Sequence, residues 1–458
     1  MRWHRFRQAL LRIGYYPGER TLFGISSLGS EIYGTASVFP STSYFTVSDP
    51  AAVKQASYSR NDFVKNTESY TILKEFGSNL LVVEGEEWKR QRRIAAPAFS
   101  DKNNHLVWDT AKGLVEQMIA ALAIRKANHP KAGFGQDVSW GTDVTPVGHK
   151  LTFKEALSTT STTMHFPLML PRWVWGLMTG WSHAKQAHDE LRLYLQEMIT
   201  SRRELKGYQE QKFPDQRHDL FNQLICARDA DGMLTEDELI GNVFIFLIAG
   251  HETTAHAFAI MLSLLALYPQ VQDKLVKQIR EFEQEYGDLK YSHMHLLTYA
   301  MAVVYETLRL FPMVSTMPKK ATADTTMTIG FPPNTQKIKV PKSMVVNVFS
   351  TGLHYSPSYW DNPDEFDPER FTDPHWNREA FIPFSLGPRA CIGRRFAETA
   401  LVAELCALIS NYRISIDETR FKSIDGQSIL QRRSRLINPE VRLTLSPAPV
   451  SLVFSERD

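Results

Sequence analysis

The stretch from Thr235 to Tyr268 constrains this chain more than any other, because it reads as one helix too long and too apolar to lie on a surface. Thr235 can cap its N-terminus while Glu238, three residues on, reaches back in a capping box. Pro269 ends it. The apolar runs Val243–Ile248 and Ala255–Leu267 would pass for a membrane helix if they were continuous. Gly250-His251-Glu252-Thr253-Thr254 interrupts them, so the better reading is a helix buried at the centre of a protein with something polar at its midpoint. Gly costs about 1 kcal/mol relative to Ala in a helix interior, and Gly250 therefore needs a reason. Close approach of a ligand is one and tight helix packing is another; taken alone, the residue favours packing.

The rest of the chain supplies a setting for such a helix. Its 458 residues hold enough for a large core, and length alone gives a prior of two or three domains of about 150 residues. No long linker, low-complexity run or repeat divides it, so it reads as one continuous, mainly helical unit. Residues 37–59 read as strand and turn, with a break at Asp49-Pro50. Pro167 and Pro171 break the apolar segment Phe166–Trp181, which is too short to span a bilayer. A net charge of +2 gives no reason to expect nucleic acid. Three cysteines, Cys226, Cys391 and Cys406, with no CxxC pair, argue against a disulfide framework or a structural zinc site and suit a reducing compartment. Near the start, Trp3, Phe6, Leu10 and Ile13 share one helical face and Arg2, Arg5, Arg7 and Arg12 lie elsewhere. That pattern fits a helix lying on a membrane or a short helix packed on its own domain.

The chemistry concentrates at Phe384-Ser385-Leu386-Gly387-Pro388-Arg389-Ala390-Cys391-Ile392-Gly393, ahead of a helical pattern over 394–408. A lone Cys is usually a small buried hydrophobe, the reading for Cys226 and Cys406. Cys391 differs by its neighbours. Gly387 and Gly393 permit close approaches, Arg389 can neutralise a carboxylate, and the N-terminus of the following helix favours a negative sulfur. Together they describe a thiolate held against a flat anionic ligand.

This F-x-x-G-x-R-x-C-x-G run resembles the haem-binding loop of the cytochrome P450 family. Trp88-Lys89-Arg90-Gln91-Arg92 is similar to the family's W-x-x-x-R, with Trp88 and Arg92 on one helix face. Ala249–Thr254 is similar to A-G-x-[DE]-T-T, Glu306-Thr307-Leu308-Arg309 to E-x-x-R, and Pro368-Glu369-Arg370-Phe371 to P-E-R-F. The resemblance covers the chain from about Tyr44 onward. It implies a mainly α fold with small β-sheets, with haem b (iron protoporphyrin IX) between the long central helix and the cysteine loop. Residues 37–458 would form a single catalytic domain and 1–36 an atypical, membrane-interfacial N-terminal segment. Cys391 would be the iron ligand, and Trp88, Arg92, Lys319, Phe384, Arg389 and Gly393 would bind the cofactor. Lys319 follows Pro318 where many relatives have an Arg on a propionate; it brings the charge without the bidentate fork. Glu306, Arg309 and Arg370 would form a buried charge cluster. The beginning departs from membrane-anchored relatives, which carry an apolar anchor and a proline-rich hinge.

By the same resemblance Glu252 relays protons and Thr253 donates to iron-bound dioxygen, although Thr253 can instead bond back to the Ala249 carbonyl. Electrons must come from outside, since the chain has no G-x-G-x-x-G loop. NADPH, through NADPH–cytochrome P450 reductase, is the implied source, with Lys89, Arg90, Arg93, Arg394 and Arg395 as a basic docking face. The implied place is the cytosolic face of the endoplasmic reticulum membrane, peripherally bound if the chain is complete, and otherwise the cytoplasm. Mostly apolar candidate pocket segments, Phe244–Gly250, Met313–Met317 and Leu443–Leu445 among them, point to a hydrophobic small molecule and to secondary metabolism. A zinc hydrolase would need a second His four residues after His251; that position is Ala255, and His256 lies about 140° round the helix. A haem-thiolate isomerase or dehydratase that does not use O2 would keep the Cys391 loop and often lacks the acid–alcohol pair. A haem sensor without turnover is the third alternative.

Overall fold

The computed structural model describes residues 32–38, 41–123, 131–132, 136–137, 144–166, 179–209, 219–230, 232–330 and 333–457. The basic segment 1–18 and all but the ends of Phe166–Trp181 lie outside these residues. β-Branched and aromatic residues make β1 (Ile32–Val38) and β2 (Ser41–Val47), antiparallel partners from Ile32 opposite Val47 to Val38 opposite Ser41. Asp49-Pro50 is where the structure departs from expectation, because the pair starts a helix. Asp49 Oδ1 accepts from the Ala52 amide at 2.8 Å and Pro50 opens the first turn of α1 (Pro50–Tyr58), where a missing N–H is no loss.

After β3 (Phe63–Lys65) come α2 (Gly85–Ala95) and α3 (Asp101–Ala123), the two-residue strands β4 (Lys131–Ala132) and β5 (Gln136–Asp137), then α4 (Phe153–Thr163), α5 (Thr179–Gln209) and α6 (Leu220–Asp229). The long helix is α7 (Glu236–Leu267), followed by α8 (Pro269–Tyr286) and α9 (Thr298–Leu310). β6 (Thr316–Ala321), β7 (Thr325–Ile329), β8 (Gln336–Val340) and β9 (Val345–Phe349) lead into α10 (Ser350–His354). Beyond lie α11 (Arg394–Asn411), β10 (Tyr412–Ile416), α12 (Ile429–Ile437), β11 (Glu440–Val441), β12 (Leu445–Ser446) and β13 (Leu452–Glu456). The main sheet runs β1-β2-β9-β6-β3, with β2 and β9 parallel and the other pairs antiparallel. The fold is mainly helical with small sheets, as expected.

Helix α7 begins on the expected capping box: Glu238 N–H donates to Thr235 Oγ1 at 3.2 Å and Thr235 N–H donates to Glu238 Oε2 at 2.8 Å. Among the described residues it is the one helix long and apolar enough to cross a membrane. Its two ends are instead buried in protein. Val243, Phe244, Ile245, Leu247 and Ile248 pack into a cluster with residues of α4, α5 and α6. Ala257, Ile260, Met261, Leu264 and Leu265 pack into a separate cluster with α8, α9 and α11. Full burial of each such side chain stabilises by about 1.5–3 kcal/mol. The turn 249–256 falls at the seam between the two cores.

Candidate active site

At that seam Ala249, Gly250, His251 and Ala255 are exposed, although both flanks of the helix are buried. A Cβ built on Gly250 would meet no atom within 4 Å, so tight packing, the reading favoured by the residue alone, is not the reason for this glycine. Packing does explain Gly241, which the sequence did not single out: a Cβ there would lie 2.4 Å from the Ser78 carbonyl oxygen. The same end of α7 is tied to the segment before α2. Asn242 Oδ1 accepts from the Leu80 amide at 3.0 Å and its Nδ2 donates to Gln91 Oε1 at 3.0 Å. Thr253 Oγ1 donates to the Ala249 carbonyl at 2.7 Å, the back-bond that residue type favours inside a helix. Glu252 and Thr253 are half-buried beside the open turn.

The cysteine loop is a compact turn. Cys391 N–H donates to the Phe384 carbonyl at 2.9 Å, closing the loop, and Ser385 and Gly387 take φ of 61° and 71°. Gly387 admits no side chain, since its Cβ would lie 2.5 Å from the Ser57 carbonyl oxygen of α1. A Cβ on Gly393 would reach only ordinary contact, 4.0 Å from Cys391 Sγ. Cys391 is a solvent-exposed residue with a ring of protein groups around its sulfur. Burial by that ring pushes its thiol up, against the Gly393 amide and the charges of Arg92 and Arg394, which pull it down. Such a sulfur becomes a thiolate when a metal cation binds it.

The cations expected at this site meet around the loop. Arg92 Nη1 donates to the Ala390 carbonyl at 3.0 Å, and the buried Trp88 ring lies 4.3 Å from the Arg389 guanidinium. Arg389 pairs with Glu84 at 2.6 Å and donates to the Leu80 and Val83 carbonyls, leaving its buried Nε without an acceptor. Lys319 is 5% exposed, and its ammonium makes no hydrogen bond to any described residue. Burial, with Arg389 beside it, pushes that ammonium down to about 8. Two residues that the sequence did not mark join this group. Lys65, half-buried and held well below its usual value by desolvation, donates to the Leu81 carbonyl at 2.6 Å, and Arg60 stacks 4.6 Å over Trp88. Arg60, Lys65, Lys89, Lys319 and Arg389 share a cavity of about 400 Å³ with one acid, Glu84. Only the tertiary fold brings β3 to this place, so nothing in the local sequence marks them.

Glu306, Arg309 and Arg370 do cluster. Arg309 Nε and Nη2 donate to Glu306 at 2.6 and 2.8 Å, with both side chains fully buried, and Arg370 Nε donates to the same carboxylate at 3.2 Å. Arg309 also serves the His354, Pro363 and Glu365 carbonyls. His354, which no sequence motif marks, connects this cluster to the segment entering the cysteine loop. Its Nδ1 lies 3.1 Å from the Arg309 carbonyl, and the Ile382 amide donates to its Nε2 at 2.9 Å. Burial pushes it down to about 3, so it stays neutral. Two expectations need correction. Phe244, expected to line the pocket, is fully buried and stacks on Phe76 at 4.1 Å. Arg90, expected in a docking face, turns inward to Glu238 and the Met233 carbonyl.

A mainly helical chain with a cysteine turn, a cation group beside it and an open acid–alcohol turn in its central helix defines the haem-thiolate class. The family profile for cytochrome P450 matches residues 35–439, and the chain belongs to the cytochrome P450 family. Cytochrome P450 monooxygenase 124 of Postia placenta is 35% identical over 504 aligned residues, covering 99% of this chain and 96% of the relative. Cytochrome P450 monooxygenase prx9 of Penicillium rubens is 29% identical over 456, covering 87% and 77%. Cytochrome P450 3A13 of Mus musculus is 28% identical over 379, covering 78% and 74%. The chain is thus an oxidoreductase of the monooxygenase class, and its family implies haem. The residues present fit that group: an accessible thiol, a helix turn with room above its glycine, and two buried cationic side chains with donor atoms unspent.

Proposed function

We propose that this chain inserts one oxygen atom from O2 into a hydrophobic small molecule, with Cys391 as the iron ligand and electrons from NADPH through NADPH–cytochrome P450 reductase. The observation that carries the reading is the open turn of α7, where Gly250 leaves room and the Glu252–Thr253 acid–alcohol pair sits beside it. When bound, haem with a thiolate ligand supplies the activation of dioxygen. Trp88, Arg92, Lys319 and Arg389 hold its propionates, Phe384 and Gly393 shape the loop at its thiolate side, and Arg60 and Lys65 add charge. Thr253 Oγ releases its bond to the Ala249 carbonyl and turns its proton toward the open side, and the Glu252 carboxylate resupplies it. Lys89, Arg93, Arg394 and Arg395 present charge for reductase docking. The substrate is a secondary metabolite or its precursor, and the enzyme works at the cytosolic face of the endoplasmic reticulum membrane.

Replacement of Thr253 by alanine tests the chemistry. T253A should load haem normally yet lower product per NADPH on the order of 10²-fold, a typical general acid–base contribution. NADPH consumption continues and peroxide is released instead. Untargeted metabolite profiling of a host co-expressing the chain and a reductase supplies the product to follow. Product formed anaerobically without reductase would favour the isomerase or dehydratase reading and leave Cys391 as ligand.

Lys319 gives haem retention a pH dependence. Only its protonated form attracts a carboxylate, so affinity is full below about 8 and falls as pH rises through that value. Haem titrations followed by absorbance should show the fall, and Lys319→Arg, which stays charged, should flatten it. An unchanged profile in that variant would remove Lys319 from the propionate site.

A further inference from the structure

We infer that His256 is a positioning residue for Glu252 that relays protons to it from the loop carrying Thr444 and Ser446. The inference rests on Glu252 as the proton-delivering carboxylate. Successive helical residues are about 100° apart, so His256 lies about 40° round from Glu252 and one turn further along, the spacing at which side chains meet. Helical side chains lean back toward the N-terminus, which brings the imidazole over the turn that holds Glu252 and Thr253.

Its ring nitrogens are both engaged. Nδ1 lies 3.2 Å from Thr444 Oγ1 and Nε2 lies 3.4 Å from Ser446 Oγ. Hydroxyls donate and accept, so the ring can take a proton at one nitrogen and release one from the other. The loop is pinned at the pocket end by the Leu445 amide, which donates to the Met313 carbonyl at 2.9 Å. At its other end Glu440 and Arg442 are exposed and bonded to each other at 3.1 Å. A route of hydroxyl, imidazole and carboxylate therefore leads from the buried Thr444, two residues from the exposed Arg442, to the acid–alcohol pair.

Burial lowers the proton affinity of His256, which keeps the ring neutral and able to accept; Glu252 and a hydrogen bond to the Leu445 backbone raise it, while His251 and Arg442 lower it further. The Ser446 contact is the long one, and releasing it turns Nε2 toward Glu252. The balance is simple. A proton enters at Nδ1 from the Thr444 hydroxyl, another leaves Nε2 for a Glu252 carboxylate oxygen, and water at the loop reprotonates Thr444. The imidazole is left neutral as its other tautomer, and a flip of the ring restores the starting arrangement before the next proton.

The test uses the haem-loaded protein with reductase and NADPH. His256→Gln keeps hydrogen bonds to the hydroxyls but cannot cycle protons; His256→Phe removes both functions. Both variants should raise peroxide released per NADPH by about tenfold, less than the roughly 10²–10⁴-fold of a direct general acid–base group because His256 acts through Glu252. They should also raise the solvent deuterium isotope effect on NADPH oxidation. Independently of turnover, histidine NMR titration of the ferrous–carbon monoxide form should place the His256 pKa below its usual value, and Glu252→Gln should lower it further. Wild-type peroxide ratio and isotope effect in His256→Gln would reduce His256 to a tether and overturn the relay, as would an unmoved His256 pKa in Glu252→Gln. Should His256→Phe lose haem, His256→Gln still decides. T253A separates the two readings: uncoupling there with coupled His256 variants sinks only the relay, and coupling in both sinks the acid–alcohol pair.

Discussion

Cys391→Ala is expected to abolish the thiolate-type absorption of the ferrous–carbon monoxide protein, while Cys226→Ala and Cys406→Ala leave it intact. The three cysteines have different surroundings. Cys391 is accessible in a closed turn, with Arg92 and Arg394 stabilising a negative sulfur. Cys406 is buried in α11, where no ligand can reach it, and burial pushes its thiol up to about 12. Cys226 lies on α6, outside the loop motif. Absorption spectra of the purified variants check this, and a retained thiolate band in Cys391→Ala would sink the ligand assignment.

Glu306→Ala should lose folded haem protein, because it strands the fully buried Arg309 guanidinium, and Arg370→Ala should act through the same cluster. Removing one partner of a buried pair costs about 3–5 kcal/mol, against a total stability of about 5–15 kcal/mol for a typical domain. Glu306 also accepts from the Asp367 amide at 2.9 Å, so its loss loosens the P-E-R-F turn as well. The two substitutions share one carboxylate, and their combined effect should be smaller than the sum. Melting temperature and haem content of the single and double variants are the readouts. A variant with normal values of both would show that the cluster does not brace the fold.

Local pattern is what the sequence makes legible. The ends of α7 can be read because Thr235, Glu238 and Pro269 act on neighbours three or four residues away, and the Glu306–Arg309 pair can be read for the same reason. Asp49-Pro50 is ambiguous because one dipeptide serves both to break a chain and to cap a helix; the packing of Ala52, Val53 and Ala56 into the core decides for the helix. Gly241 and Gly250 look alike in sequence, and only the backbone of Ser78, brought from a distant segment, separates the packing glycine from the open one. Arg60, Lys65 and His354 are invisible for a related reason. Their partners lie on other elements, and no spacing along the chain announces them. Phe244 shows the converse, since an apolar residue beside a site looks the same whether it faces the ligand or the core.

The way α7 is held has a mechanical consequence. Its first turns are fastened by Glu238, Asn242 and the close contact at Gly241, and its last turns by packing against α8, α9 and α11. The helix is thus a beam fixed at both ends, and between them the side that carries Gly250 faces open space. Bending there changes the shape of the space beside Glu252 and Thr253 without disturbing either anchorage. A ligand that lies against the midpoint therefore meets a helix whose position is set by residues one or two turns away on either side.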